Sequence, residues 1–230
     1  SPGRTTITAT VSGVSGSLDV RVRGWELWDT TPSAGAYRTI VYNGKIYCFG
    51  PIAHSVPTKQ WYVYTPGAKT WQAAPDLPVE RFAPALGVIG GKIYLAETYG
   101  EGVSTTYEID PVTLAVTAKA PMPTGVSGPA ATAFDGKLWL IGGVDAVNGA
   151  SSVVQTYDPA TNAWVTMNSF PVAGSMGSAA VFGGSLYVCG IGPTSTPTDE
   201  VYRRHASGDI WEPATRLTKS RTALSLGLSA

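Results

Sequence analysis

The sequence predicts an all-β protein made of five repeats of about 46 residues, each folded as four short antiparallel strands. A turn glycine followed by Lys or Ser, an aliphatic residue and an aromatic residue recurs at Gly44, Gly91, Gly136 and Gly184, with spacings of 47, 45 and 48 residues. Because 230 residues divided by five is 46, the repeat accounts for the whole chain. No stretch of a dozen residues has the period of about 3.6 residues that an amphipathic helix requires.

The first two strands of each repeat are predicted as a tight hairpin. The first strand is rich in small residues and ends at an Asn-Gly, Asp-Gly or Gly-Gly pair, which favours a two-residue turn. The second strand then alternates aliphatic and aromatic side chains. The predicted first strands include residues 84–89, 130–134 and 178–182, and the predicted second strands are residues 45–49, 92–96, 137–141 and 185–189.

The last two strands of each repeat are marked by a turn and an aromatic residue. Third strands such as residues 60–64 and 153–157 end at a turn that contains Pro, whose fixed φ suits a turn position. The fourth strand opens with a landmark Trp. The five landmark positions are Trp28, Trp71, Val116, Trp164 and Trp211, and we predict that these tryptophans pack between repeats.

The composition excludes several functional classes. The chain has 16 Lys plus Arg and 16 Asp plus Glu, so its net charge is zero and it lacks the basic surface that nucleic acids or anionic membranes attract. No uninterrupted apolar run approaches the roughly 20 residues that span a bilayer, so we expect no membrane insertion. Two cysteines do not make a disulfide framework, and we expect Cys48 and Cys189 to be buried free thiols.

These landmarks resemble the Kelch repeat, whose unit has a glycine doublet after the second strand and then a Tyr and a Trp at fixed spacing. The resemblance covers roughly residues 25–230, although only Gly142-Gly143 preserves the full doublet. It implies a β-propeller, in which each repeat is one four-stranded blade. That architecture agrees with the strand pattern, because radial repetition protects sheet edges and crowds small residues around the axis.

The two chain ends are predicted to close the ring as a fifth blade. The last repeat contains only a first strand, residues 222–229, whereas residues 5–11, 17–22 and 25–29 supply three N-terminal strands. We therefore predict one domain over residues 1–230, a five-bladed β-propeller whose last blade combines N- and C-terminal strands. In the alternative interpretation, residues 6–22 resemble the closing hairpin of a bacterial immunoglobulin-like surface domain, so that residues 1–23 are its remnant.

The sequence predicts no catalytic residue, metal or cofactor. Copper oxidases of the galactose oxidase type share the propeller and bind copper through two His and two Tyr, but His54 and His205 are expected on opposite faces here. Neither cysteine has a His partner in the repeat frame, and no Gly-x-Ser-x-Gly elbow occurs. The segment Asp145-Ala-Val-Asn-Gly149 only faintly resembles a calcium loop.

A binding surface is predicted on one face of the propeller. The loops between strands two and three differ most among repeats, and alternating strand direction places them beside the loops between strands four and one. Arg81 and Arg221 each follow a landmark Trp by ten residues, the position at which Kelch units often carry Arg at the channel mouth, and Arg38 lies four places deeper. These guanidinium groups either bond backbone carbonyls between blades or capture a carboxylate. The other candidate ligand-binding residues are assigned to loops and are His54, Glu97, Tyr99 and Asp145.

The predicted function is a non-enzymatic binding or display platform that recognises a protein or a glycan through this face. Two alternatives stay open: a structural subunit of a virion or another extracellular assembly, and an enzyme of the sugar-acid mutarotase kind, which shares the fold. A mutarotase needs a charged cluster at the channel mouth, whereas a platform needs an apolar or Tyr-rich rim. The bias to Ser, Thr, Gly and Pro leads us to expect an extracellular, cell-surface or virion-surface location.

Overall fold

The computed structural model describes residues 3–11, 14–22, 30–33, 35–52, 56–99, 103–145, 147–193, 198–205 and 209–221. All regular secondary structure in these residues is β-strand, so this part of the chain contains no helix that could cross a membrane. In chain order the strands are β1 (Gly3–Val11), β2 (Val14–Val22), β3 (Ala36–Tyr42), β4 (Lys45–Ile52), β5 (Trp61–Thr65), β6 (Thr70–Ala73), β7 (Ala85–Ile89), β8 (Lys92–Tyr99), β9 (Val103–Ile109), β10 (Val116–Lys119), β11 (Ala130–Phe134), β12 (Lys137–Ile141), β13 (Val144–Asp145), β14 (Gly149–Ala150), β15 (Val154–Asp158), β16 (Ala163–Thr166), β17 (Ser178–Phe182), β18 (Ser185–Cys189), β19 (Thr198–His205) and β20 (Glu212–Arg221).

The chain divides into two compact units, Ser1–Pro32 and Ser33–Ala230. In the first unit, β1 and β2 form an antiparallel hairpin with pairs from Gly3 and Val22 to Val11 and Val14. Strands are therefore present where residues 5–11 and 17–22 were predicted to form them. The predicted strands 25–29 and 222–229 lie outside the described residues, and closure of a fifth blade stays a prediction.

The described part of the second unit contains four four-stranded antiparallel sheets in which strands follow one another in chain order. We call them blade I (β3–β6), blade II (β7–β10), blade III (β11, β12, β15 and β16) and blade IV (β17–β20). Asn43 and Gly44 both have positive φ, 47° and 71°, which is the conformation that a type I′ hairpin turn needs. This local signal explains why the first hairpin of each blade was predictable from sequence.

Apolar side chains between neighbouring blades form the core. One buried cluster joins blades I and II, a second joins blades II and III, and a third joins blades III and IV. The landmark Trp164 of blade III donates its Nε1–H to the carbonyl oxygen of Ala120, in the segment leaving blade II, at 2.9 Å. Trp211 is 9% exposed in the third cluster. These contacts confirm the predicted packing role of both tryptophans.

The first strands of the four blades lie side by side, with β7 packed against β3 and β11, and β11 packed against β17. They line a cavity of about 410 Å³. Space here is limited: a Cβ added to Gly87 of β7 would lie 2.6 Å from Cδ1 of Leu138, so that side chain would have to move. The fold is a β-propeller, with four blades inside the described residues.

Candidate functional site

Backbone hydrogen bonds tie together the two sets of loops that were predicted to share a face. Thr58, before β5, and Arg81, before β7, exchange both backbone bonds, at 3.0 and 2.8 Å. Ser127 and Val144 do the same at 2.9 and 2.8 Å, and Ser175 pairs with Gly192. Each pair joins a loop between strands two and three to a loop between strands four and one. We call the surface formed by these paired loops the loop face.

The loop between β12 and β15 of blade III contains its own small hairpin, β13–β14. The Gly143 N–H donates to the Gly174 carbonyl oxygen at 2.7 Å, and the Gly174 N–H donates to the Ser151 carbonyl oxygen at 3.0 Å. Gly142 has φ +66°, and a Cβ there would lie 2.5 Å from the Gly174 carbonyl oxygen. The glycine doublet therefore provides the close backbone approach that holds this loop in place.

Asp145 stabilises the tip of this hairpin. Its Oδ1 accepts hydrogen bonds from the N–H groups of Val147 and Asn148, at 2.7 and 3.3 Å, and its Oδ2 accepts one from the Asn148 side chain. These bonds lower the pKa of the Asp145 carboxyl below its usual value. The described residues contain no cluster of His, Cys, Asp or Glu that fits a metal ion. The arrangement leaves the Val147 side chain 88% exposed at the tip.

Glu97 was predicted in a loop, and that placement is wrong. Strand β8 runs to Tyr99, because its pairing with β9 continues to the end of the strand, and Glu97 lies inside β8 with no exposed surface. Its carboxylate accepts hydrogen bonds from the backbone N–H groups of Phe82 and Ala83, at 3.0 and 2.6 Å, and from the Ser127 hydroxyl at 3.2 Å. Burial is the main influence on the pKa of Glu97 and raises it, while these donors oppose the shift. Glu97 thus anchors the entries to blades II and III.

Arg81 lies beside Glu97 but is almost wholly buried, at 3% exposure. Its guanidinium carbon is 5.1 Å from the centroid of the Tyr107 ring, a cation–π contact. Among the described residues, its Nε and Nη2 atoms have no hydrogen-bond partner. Burial lowers the pKa of Arg81, and the attraction of Glu97 partly offsets that shift.

Arg38 lines the cavity between the first strands, and it is the only charged residue among the described residues that do so. Its Nη2 donates to the Sδ of Met176 at 3.4 Å. Burial lowers the pKa of Arg38, whereas Glu97 raises it. The structure therefore brings together three predicted site residues, Arg38, Arg81 and Glu97, as two cations and one anion.

The remaining predicted site residues are placed less completely. Arg221 ends β20 opposite Thr198. This pairing is equivalent to that of Arg81 with Thr58, because Thr198 and Thr58 each lie three residues before the residue that pairs with the fifth residue of strand two, Cys189 in β18 and Phe49 in β4. Tyr99, predicted in a loop, is the last residue of β8, so that prediction is also wrong. The side chains of Arg221 and Tyr99, and all of His54, lie outside the described residues.

Sequence reasoning missed three residues of this region: Tyr107, Ser127 and Met176. Tyr107 and Ser127 are ordinary strand and loop residues, and nothing in their repeat positions indicates contact with Arg81 or Glu97. Met176 carried a usable signal. It stands eight residues before the turn glycine Gly184, where blade III has Gly128 eight residues before Gly136. A bulky residue in place of that glycine indicates an unusual local structure.

Comparison with known proteins agrees with the repeat pattern. The family described as Kelch motif matches residues 125–171. Alpha-scruin of Limulus polyphemus is 26% identical over 87% of this chain, and Kelch repeat protein M-T8 of Myxoma virus is 28% identical over 76% of it. The chain contains a Kelch repeat and is similar to Kelch-repeat proteins over most of its length. The solved structure titled "Structure of YjhT" superposes on this Kelch-repeat chain with a TM-score of 0.68 at 15% identity, covering 86% of this chain and 70% of that one.

The Kelch-repeat chain is much shorter than these curated relatives. It spans 23% of alpha-scruin, 35% of M-T8 and 30% of Kelch-like protein 25 of Xenopus tropicalis, which is 27% identical over 71% of this chain. The match to YjhT concerns the fold, since its identity is 15%.

Proposed function

We propose that this Kelch-repeat chain is a non-catalytic platform that binds a protein partner through its loop face. The observation that carries the proposal is the hairpin tip at Val147, which is apolar, 88% exposed and held by backbone bonds on both sides. Variable loops on a rigid scaffold are where recognition usually resides. An exposed apolar residue in a preordered loop favours a protein partner, because little conformational entropy is lost when it is buried.

The cavity favours a platform over a sugar-acting enzyme. Apart from Arg38, its described lining consists of small, hydroxyl-bearing and aliphatic residues, and Glu97 is fully buried and already bonded to three donors. A general acid or base must reach the proton that it transfers. The described lining of the cavity therefore offers no accessible acid–base pair.

Two valines on opposite faces make a matched test. Val147 and Val112 are both 88% exposed, and each follows by two residues an Asp whose Oδ1 accepts its N–H, at 2.7 and 2.8 Å. Val147 belongs to the loop face, whereas Val112 lies in the β9–β10 turn at the other end of the strands. We would introduce a photo-crosslinking amino acid at each site and expose the proteins to an extract of the source organism.

We expect a discrete protein adduct from position 147 and none from position 112. In affinity pull-downs of that protein with chains that carry no crosslinker, we expect Val147→Asp to abolish binding and Val112→Asp to leave it unchanged. Both variants should unfold at the same temperature as the unmodified chain, because both side chains are in solvent. Equal capture at both positions, or capture at position 112 alone, would show that the loop face is not the binding surface.

A further inference from the structure

Arg38 departs from the repeat at a position where the other blades have a small residue. It pairs with Phe49, the fifth residue of β4, and the residues in the same register of the other blades are Ala85, Ala130 and Ser178. The two alanines are each 1% exposed. Blades II, III and IV therefore have a small side chain at this register position. Blade I instead has Arg38, whose guanidinium lies beside the cavity.

Met176, which contacts Arg38, is a second departure from the repeat. Its φ is 58°, close to the 61° of the equivalent Gly128, and this left-handed conformation is costly for a residue with a long side chain. The Met176 N–H donates to the Gly128 carbonyl oxygen at 2.9 Å, and its Sδ accepts from Arg38 at 3.4 Å. The strained residue holds a thioether against the guanidinium.

The charge of Arg38 has no good counterpart in the described residues. A thioether sulfur is a weak acceptor, whereas a guanidinium carries five donors. The carboxylate of Glu97 is already bonded to Phe82, Ala83 and Ser127, and it also attracts Arg81. A partly desolvated cation next to a cavity of about 410 Å³ is therefore left with bonding capacity to spare.

We propose that Arg38 binds a carboxylate group that enters the cavity between the first strands of blades I to IV. A carboxylate matches the planar guanidinium in two parallel hydrogen bonds. A monoanion suits a cavity whose described lining contains a single cation, whereas a phosphate dianion needs a second one. The carboxylate belongs either to a small free acid or to an acidic side chain of a protein, and the test separates these sources. The site does not depend on the loop face being a binding surface.

The three methionines provide the readout. Methyl-¹³C-methionine labelling of the full chain gives one signal each for Met122, Met167 and Met176, and only Met176 contacts Arg38. Sodium acetate and the peptide acetyl-Ala-Glu-Ala-amide would be titrated at constant ionic strength, with acetyl-Ala-Gln-Ala-amide as the neutral control. We expect a saturable shift of the Met176 signal with a carboxylate probe, no shift with the glutamine peptide, and unchanged signals from the other two methionines.

Two variants assign the effect to Arg38. Arg38→Gln is expected to weaken carboxylate binding at least tenfold, because a hydrogen bond between charged groups contributes about that factor to the affinity. Arg216→Gln should have no effect, because Arg216 lies on blade IV away from the cavity and pairs with Asp199 and Glu200. If Arg38→Gln does not fold, Arg38→Lys serves instead, with a several-fold loss expected because the paired donors are removed.

The titrations distinguish a free acid from a protein-borne carboxylate. A shift with acetate and peptide indicates that free small acids enter, and a shift with the glutamate peptide alone indicates a protein-borne carboxylate; both support the proposal. A Met176 signal that responds to neither probe, that responds equally to the glutamine peptide, or that keeps its response in Arg38→Gln would overturn it.

Discussion

Glu97 shows how one buried charge organises two blades. A carboxylate without exposed surface is costly unless it is hydrogen-bonded, and here the compensating donors are the backbone of Phe82 and Ala83 and the hydroxyl of Ser127. The residues before β7 and the loop before β11 are thereby fixed to one side chain of β8. Replacing Glu97 by a residue without a side-chain acceptor would therefore leave these backbone donors buried and unsatisfied.

Glu97→Ala is expected to lower the free energy of unfolding by about 2–4 kcal/mol, since two buried N–H groups lose their acceptor. The loss should depend on pH. The pKa of Glu97 is higher in the folded state than its usual value of about 4.3, so the folded state binds the proton more tightly. The contribution of Glu97 is thus fully present below about pH 4.3 and declines as pH rises through the folded pKa.

Urea unfolding of both proteins between pH 4 and 8 measures this difference. The gap between them should be widest at the acidic end and narrow as pH rises. Glu212→Ala is a suitable control, because Glu212 is 53% exposed in its ion pair with Arg203 and should change stability by less than about 1 kcal/mol. A gap that widens with pH would show that the pKa of Glu97 is lowered on folding.

The Cys48 thiol is expected to be unreactive in the folded protein. Cys48 is 4% exposed, and burial raises its pKa to about 11, so almost no thiolate exists at pH 8. The pKa of Cys189 is raised for the same reason. A chromogenic disulfide reagent at pH 8 should therefore detect neither thiol before denaturant is added and both afterwards. Rapid reaction of one thiol in the native protein would mean that its strand opens.

At the scale of elements, the loops of the loop face behave as parts of the sheets. The hairpin β13–β14 is held between the loop that enters blade III and the loop that enters blade IV, through Ser127, Gly143 and Gly174. Such contacts require the two backbones to approach more closely than any side chain allows. This explains why glycine occupies the doublet and position 174, where the chain makes no hairpin turn.

Gly174→Ala is expected to destabilise the protein by about 2 kcal/mol or more, because its Cβ would lie 2.2 Å from the carbonyl oxygen of Gly192. Gly67→Ala is the matched control: no atom lies within 4 Å of its added Cβ, and its φ is not positive. That change should be neutral or stabilising by a few tenths of a kcal/mol. Thermal unfolding compares them, with a fall of about 4 °C or more for Gly174→Ala. Equal melting temperatures would mean that the Ser175–Gly192 pairing is absent in solution.

At the scale of the whole molecule, stability comes from repeated stacking of one blade on the next. Phe134, the last residue of β11, is 7% exposed and packs in the cluster that joins blades III and IV. Phe182 is the last residue of β17 in the same register, yet it is 66% exposed. The two phenylalanines differ because blade IV follows blade III, whereas no described blade follows blade IV.

These two positions test the predicted fifth blade. Phe134→Ala should cost about 3–5 kcal/mol, as expected for a large core side chain replaced by alanine. Phe182→Ala should cost less than about 0.5 kcal/mol, because its ring is largely in solvent. Denaturant unfolding of the full chain measures both values. A loss at Phe182 that equals the loss at Phe134 would instead show that further strands cover blade IV, as ring closure by the chain ends requires.

The all-β class, the repeat period and the hairpin positions could be predicted from the amino-acid sequence alone. These features depend on local physics: Gly44 and its equivalents adopt positive φ cheaply, and side chains alternate across a strand whatever lies beyond it. The amino-acid sequence also indicated that Arg38 and Arg81 are charged residues of one region. The length of β8, and with it the placement of Glu97 and Tyr99, was wrong because pairing with β9 outweighed the loop-like composition after Ala96.

Which charged side chains are buried, which are paired and which face the cavity is visible only in the folded chain. Glu97 and Arg38 are both ionisable residues of a repeat, but one is enclosed by donors from two loops and the other lines a shared space. That difference depends on atoms from blades that are far apart in the chain. Burial and partner choice are long-range properties, so no pattern within a single repeat contains them.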